Sequence, residues 1–249
     1  MGNQLEKKMM KALDEWNARQ IVKEILPIVR ECCGDVCTAE IPEESPEVIV
    51  ITYPKNYECS YIRPQILLEI GPKAAWNPHT EHEVRPYMAE MYPQLLKNAK
   101  ARVKVTTAER TFWEKITILH ALANRTSSLP PRYSRHYYDT VMMARDIKLK
   151  ESAFSDIQLL YQVSSFKYYF YRAGWADYPN AIPGKMHLLP NDSILKELRK
   201  DYDDMRREML PTDAPILDDI LSELQLLEKE INALQSLDLD VTNYPTMEC

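Results

Sequence analysis

From Thr106 onward the apolar residues recur at three- and four-residue spacing, and this change of period constrains the fold more than any other feature. Five segments are predicted as helices, at about 107–124, 134–147, 152–171, 193–209 and 215–234. Short Pro- and Gly-bearing breaks separate them, such as SSLPPRYS and NAIPGKMHLLPND. Before Thr106 the pattern differs. Leu5, Met9, Leu13 and Trp16 open a helix expected to run to about Val29, kinked at Pro27. Three extended pieces follow: EVIVITY (47–53), YIRPQILLEI (61–70) with Pro64 suggesting an edge or bulge, and ARVKV (101–105). Between the last two, GPKAAWNPHTEHEVRPY reads as a Pro-rich loop leading to a short helix near 84–91. A small sheet with helices, then a helical bundle, is an α+β chain, with regions expected over 1–105 and 106–249. The tail SLDLDVTNYPTMEC is expected to fray.

Composition narrows the function. The net charge of −6 argues against a protein that coats nucleic acid, although a local basic groove is compatible with it. No apolar run approaches the roughly 20 residues that span a membrane, and the opening MGNQLEKKMMKALDEW is too charged for a secretory leader. Cys32, Cys33, Cys37, Cys59 and Cys249 match no zinc spacing and read as free thiols, which points to the cytoplasm. The chain contains neither GxGxxG nor GxxxxGK nor Gly-x-Ser-x-Gly. His79-Thr-Glu-His82 lacks the spacing of a helical metal motif and reads as a polar loop.

Three charged residues stand where apolar ones are expected. Thr106 and Glu109 form a T-x-x-E capping box. On the helix that follows, Phe112, Ile118, Leu119 and Leu122 share one arc with Lys115 near its middle. Lys115 either snorkels to water or meets an anion at a cleft, most naturally a phosphate. In SRHYYDTVMMARDI, Asp139 lies between Met142 and Met143 and one turn from Arg135. It makes either an i,i+4 pair with Arg135 or faces the same cleft as Lys115. Opposite charges on the apolar arcs of successive helices favour a shared polar site. Glu69 closes an apolar strand just before Gly71, as a solvated strand end or as a carboxylate for a divalent metal.

ILLEIG (66–71), ERTFWEK (109–115) with Leu119-His120, and RYSRHYYD (132–139) together resemble the AbiEii/AbiGii nucleotidyltransferase toxins of type IV toxin–antitoxin and abortive-infection systems. The similarity continues through GWADYPNAIPGKMHLLP (174–190), DYDDMRREM (201–209) and ILDDILSELQLLEKEIN (216–232) and covers nearly the whole chain. The resemblance implies a nucleotidyltransferase fold related to DNA polymerase β with an appended helical domain. It implies transfer of a nucleotidyl group from an NTP, with tRNA an acceptor among relatives, and a cognate antitoxin as a partner. Lys115 matches the lysine expected on the NTP phosphates, with Arg135 beside it, and Asp139 matches the aspartate expected to orient lysine or acceptor. Glu69 matches the strand carboxylate that accompanies the family's Mg²⁺ ions.

One family element is not matched. A Gly-Gly-Ser/Thr turn followed by an Asp-x-Asp strand should grip the phosphates and carry the metal ions. The chain holds no Gly-Ser or Gly-Thr, and its Asp-x-Asp pairs, Asp201/Asp203 and Asp238/Asp240, fall in a predicted helix and in the tail. The chain is therefore expected to begin just after that motif and to be inactive alone, with Mg²⁺ bound only when the motif is supplied. Its partial sheet is expected to have an apolar edge that meets an N-terminal fragment or a second copy. The alternative is a non-catalytic remnant that binds protein or RNA.

Overall fold

The computed structural model describes residues 2–56, 59–71, 77–96, 99–171 and 173–243. The chain divides into two compact units, Met1–Ala74 and Ala75–Cys249. The regions expected over 1–105 and 106–249 divide where the pattern turns helical; compactness divides the chain earlier, after Ala74.

The first unit starts with helices α1 (Gly2–Gln20) and α2 (Leu26–Cys33), joined by a π-turn over Ile21–Ile25. The irregularity precedes Pro27, which sits in the first turn of α2. A proline ring clashes with the carbonyl four residues back and donates no hydrogen bond, so the wider turn absorbs the conflict. Strands β1 (Thr38–Glu40), β2 (Val48–Thr52) and β3 (Gln65–Glu69) form an antiparallel sheet in that order, with β2 central. β1 was not apparent in the sequence, and Pro64 lies outside β3, accepting from the Tyr53 N–H. Ile21, Leu26, Ala39 and Ile49 make the core, with Ile51 and Ile70 packed against it. Arg30 donates to the Ala39 carbonyl at 3.0 Å and Asn17 to the Ile70 carbonyl at 2.6 Å, tying helices to sheet.

The second unit opens with a two-stranded ribbon, β4 (His79–Val84) and β5 (Ala101–Thr106), around the short helix α3 (Tyr87–Met91). The tetrad His79–His82, expected as a loop, is thus strand. Its residues lack apolar alternation because the pairing sets Glu81 opposite Lys104 and Glu83 opposite Arg102. Six helices follow: α4 (Ala108–Ala123), α5 (Ser134–Arg145), α6 (Ile147–Ser155), α7 (Ile157–Phe170), α8 (Asp192–Glu208) and α9 (Leu217–Asn232). The segment expected as one helix at 152–171 breaks at Asp156, whose carboxylate caps α7 through the Leu159 N–H at 3.2 Å. The N-cap of α4 is Thr107, accepting from the Arg110 N–H, because Thr106 still belongs to β5. Glu109 does not close a capping box; its carboxylate accepts from the Ser152 hydroxyl at 2.8 Å.

Helix α4 is the hub. Phe112, Trp113, Ile116 and Leu119 are fully buried, and the helix packs on α5, α6 and α7. α5 packs in turn on α8 and α9; Tyr137 and Val141 of α5 are buried, as are Leu198, Tyr202, Ile220 and Leu224 on those two helices. The tail is better held than expected as far as Asn243. Tyr161 bonds Ser236 and Leu237, Tyr169 donates to the Thr242 carbonyl, and Val241 is buried. Residues 244–249, with Cys249, lie outside the described residues.

Asp201 on α8 accepts from the backbone N–H groups of Arg132 at 2.8 Å and Ser134 at 2.9 Å. It thereby holds Arg132 in the left-handed region, φ 67°, and satisfies the start of α5. Asp201→Ala is expected to cost about 1–2 kcal/mol, the range of a lost helix cap. The check is a lower urea midpoint with unchanged denaturant dependence.

Candidate functional site

Three residues in the first half of α4 and three on neighbouring helices meet around a charged cluster. Thr107 sets the start of α4, which aims Arg110, Glu114 and Lys115 at α5 and α7. The Arg110 guanidinium is buried, donating to the Glu114 carboxylate at 3.1 Å and to the Asn77 carbonyl, with the Phe166 ring 5.9 Å away. Lys167 of α7, buried as well, donates to the Glu114 backbone carbonyl at 2.8 Å. Burial first, then the charges of Arg110 and Lys115 against the opposing pull of Glu114, lowers the Lys167 ammonium to about 7.

Lys115 lies at the solvent-reaching end of this cluster. Its ammonium donates to Asp139 Oδ2 of α5 at 2.6 Å, and the two side chains keep 20% and 39% of their exposure. The same ammonium is 3.4 Å from His136 Nδ1. Accepting there leaves the imidazole proton on Nε2, so His136 is a neutral ring beside the ion pair. Burial, followed by Lys115, Arg135 and Lys167, drives its pKa down to about 3. Two full cations (Arg110, Lys115) and Lys167, lowered to about 7, thus face two carboxylates (Glu114, Asp139). An arrangement of this kind can hold an added anion at Lys115, whose one carboxylate partner is itself open to water.

The structure brings Lys115 and Asp139 together on adjacent helices. Among the described residues, the ion pair of Asp139 is with Lys115 and not with Arg135, which is exposed on α5 and acts on His136 through its charge. Glu69 belongs to the first unit. It stands opposite Val48 at the end of β3, on the sheet face away from Ile49 and the helices. Mg²⁺ is held by one or two carboxylates together with substrate phosphates. Among the described residues no group of three or more His, Cys, Asp or Glu side chains could hold a metal ion. A single exposed carboxylate on β3 does not by itself make a resident Mg²⁺ site.

Arg110, Glu114, His136 and Lys167 were not singled out in the sequence. The signal for Lys167 was present in SSFKYYF, where a lysine interrupts an otherwise apolar, aromatic helix. His120, also within the family pattern, has a scaffolding role. Buried on α4, it accepts at Nδ1 from the His187 N–H at 3.1 Å and donates from Nε2 to the Asp177 carbonyl at 3.1 Å. Burial lowers its pKa. Asn232 of α9 bonds both backbone groups of Met186 at 2.9 Å, so the 174–190 loop is pinned from two sides.

The family model for the nucleotidyl transferase AbiEii toxin of type IV toxin–antitoxin systems matches residues 4–226. The chain belongs to this family of nucleotidyltransferase-like toxins. No curated protein and no solved structure matches it. Among the described residues no helix is long and apolar enough to cross a membrane.

The two histidines give the fold an acid-sensitive element. His136 has a folded pKa of about 3 and an unfolded one near 6.5. Between these values the unfolded chain binds a proton that the folded chain refuses, so stability is full above pH 6.5 and falls as pH drops. From pH 6.5 to 5 the loss from His136 is about 2 kcal/mol, and His120 shifts in the same direction. Urea unfolding at both pH values should show this loss, and His136→Gln should flatten it; a flat wild-type profile would refute the assignment.

Proposed function

We propose that the Lys115–Asp139 pair is the triphosphate-facing part of a cytoplasmic nucleotidyltransferase-like toxin that modifies an acceptor such as tRNA. The observation that carries this reading is the 2.6 Å pair opening to water at the end of a cationic cluster. In nucleotidyl transfer an acceptor oxygen bonds to the α-phosphorus as the bond to pyrophosphate breaks, and negative charge grows on the phosphate oxygens. Lys115 neutralises part of that charge. Asp139 holds the ammonium in one orientation while the neutral His136 ring adds no competing cation. Arg135, exposed one residue before His136, is a second anion contact. Glu69 is the candidate metal carboxylate, and no step is assigned to it.

This polypeptide alone carries out no transfer. The sequence has no Gly-Ser or Gly-Thr turn, and its Asp-x-Asp pairs are engaged elsewhere. Asp201 caps α5, and Asp240 accepts from Thr242 and Asn243. A paired-aspartate segment together with Mg²⁺ completes the site, and a cognate antitoxin controls the product.

Purified protein incubated with labelled NTPs, Mg²⁺ and total tRNA should transfer no label, and clear labelling would overturn the inactivity. Lys115→Ala should weaken binding of a fluorescent NTP about tenfold, the effect of one charge-assisted contact. The second reading is a non-catalytic protein- or RNA-binding module, and the self-satisfied Lys115–Asp139 pair favours it. On that reading Lys115→Ala leaves NTP affinity unchanged.

A further inference from the structure

The outer edge of the first sheet has a backbone pattern that matches itself. The Tyr53 N–H bonds the Pro64 carbonyl at 3.0 Å, and the Ile70 N–H bonds the Glu47 carbonyl at 2.9 Å. In an antiparallel ladder the direction of the backbone groups alternates. Those two bonds therefore aim Ile66 and Leu68 at β2, in register with Ile51 and Ile49. The N–H and C=O groups of Gln65, Leu67 and Glu69 point the opposite way, along the open edge of β3. β2 is the only strand paired with β3 among the described residues.

The side chains on this strand are those of an interior. Ile66, Leu67 and Leu68 are 57%, 51% and 36% exposed. Ile66 and Leu68 share the face of Ile49, which the helices bury, yet they overhang that cover. Edge strands that stay single carry lysine, proline or a bulge. The five residues of β3 hold none of these.

We propose that two copies of this chain pair antiparallel through β3, about a two-fold axis at Leu67. In this register Leu67 faces its own copy, Gln65 faces Glu69 of the second copy, and Ile66 faces Leu68. Every outward backbone group of Gln65, Leu67 and Glu69 then finds a partner. No like charges meet, because the single carboxylate in the strand lies opposite an amide that can donate to it. A register displaced by two residues, with Glu69 facing Glu69, sets carboxylates against each other; the opposite displacement leaves most of the edge unpaired. The two three-stranded sheets become one continuous six-stranded sheet, and Ile66 and Leu68 of both copies form one apolar strip beneath the helices. This pairing is independent of the role of Lys115.

Sedimentation of the full chain over a range of concentrations should show a monomer–dimer equilibrium. Hydrogen exchange across that range should slow at the amides of Gln65, Leu67 and Glu69 as the dimer fills. The amides of Ile66 and Leu68, already bonded to β2, should not change. Leu67→Lys, at a half-exposed position, places two ammonium groups across the axis and should raise the dissociation constant at least tenfold while near-native circular dichroism persists. A monomer at every concentration overturns the proposal. So does a dimer without the alternating protection, or one that Leu67→Lys leaves intact.

Discussion

A helix buried on most of its circumference can carry charge only if its neighbours answer every charged group, and α4 imposes this demand on the second unit. Arg110, Glu114 and Lys115 occupy one turn and a half beside Phe112, Trp113 and Ile116, which are fully buried. Leaving one of these charges unpaired in such surroundings costs several kcal/mol. The segment before β4 answers Arg110 with the Asn77 carbonyl, α5 answers Lys115 with Asp139, Arg110 itself answers the Glu114 carboxylate, and Lys167 of α7 bonds the Glu114 backbone carbonyl. The positions of three neighbouring elements therefore follow from satisfying one helix, and the candidate site is the part of that network that reaches water.

Much of this was legible in the sequence where local chemistry and tertiary demand agree. α4 and α5 emerged because their apolar periodicity is strong, and Lys115 and Asp139 emerged as exceptions to it. β4 did not, since HTEHEV offers no apolar alternation and its pairing is set by facing charges on β5. The break at Asp156 was hidden because apolar residues continue on both sides of it; only the cap reveals two helices. Thr106 and Thr107 compete for one role, and the strand claims the first. SSFKYYF marks Lys167 as an exception on its helix, but no sequence pattern announces its partner, a backbone carbonyl of α4.

Several residues within the family match or just beyond it serve architecture. His120 ties α4 to the 174–190 loop through both ring nitrogens, Asn232 ties the same loop to α9, and Asp201 fixes the start of α5. The loop is thus clamped between two helices without being part of either. Such residues position the site from a distance, so a substitution there disturbs the Lys115–Asp139 geometry through the scaffold alone.

The clasp of Tyr161 and Tyr169 on residues 236–243 bears on where the second unit can be cut. The family match closes at residue 226, inside α9 (Leu217–Asn232). A fragment trimmed to that point would lose Leu227 and Ile231 from the interior, along with the Asn232 bracket on Met186. It would also strip both phenols on α7 of their tail partners, loosening the helix that seats Lys167 under Glu114. The boundary of recognisable kinship and the boundary of autonomous folding are different places in this chain.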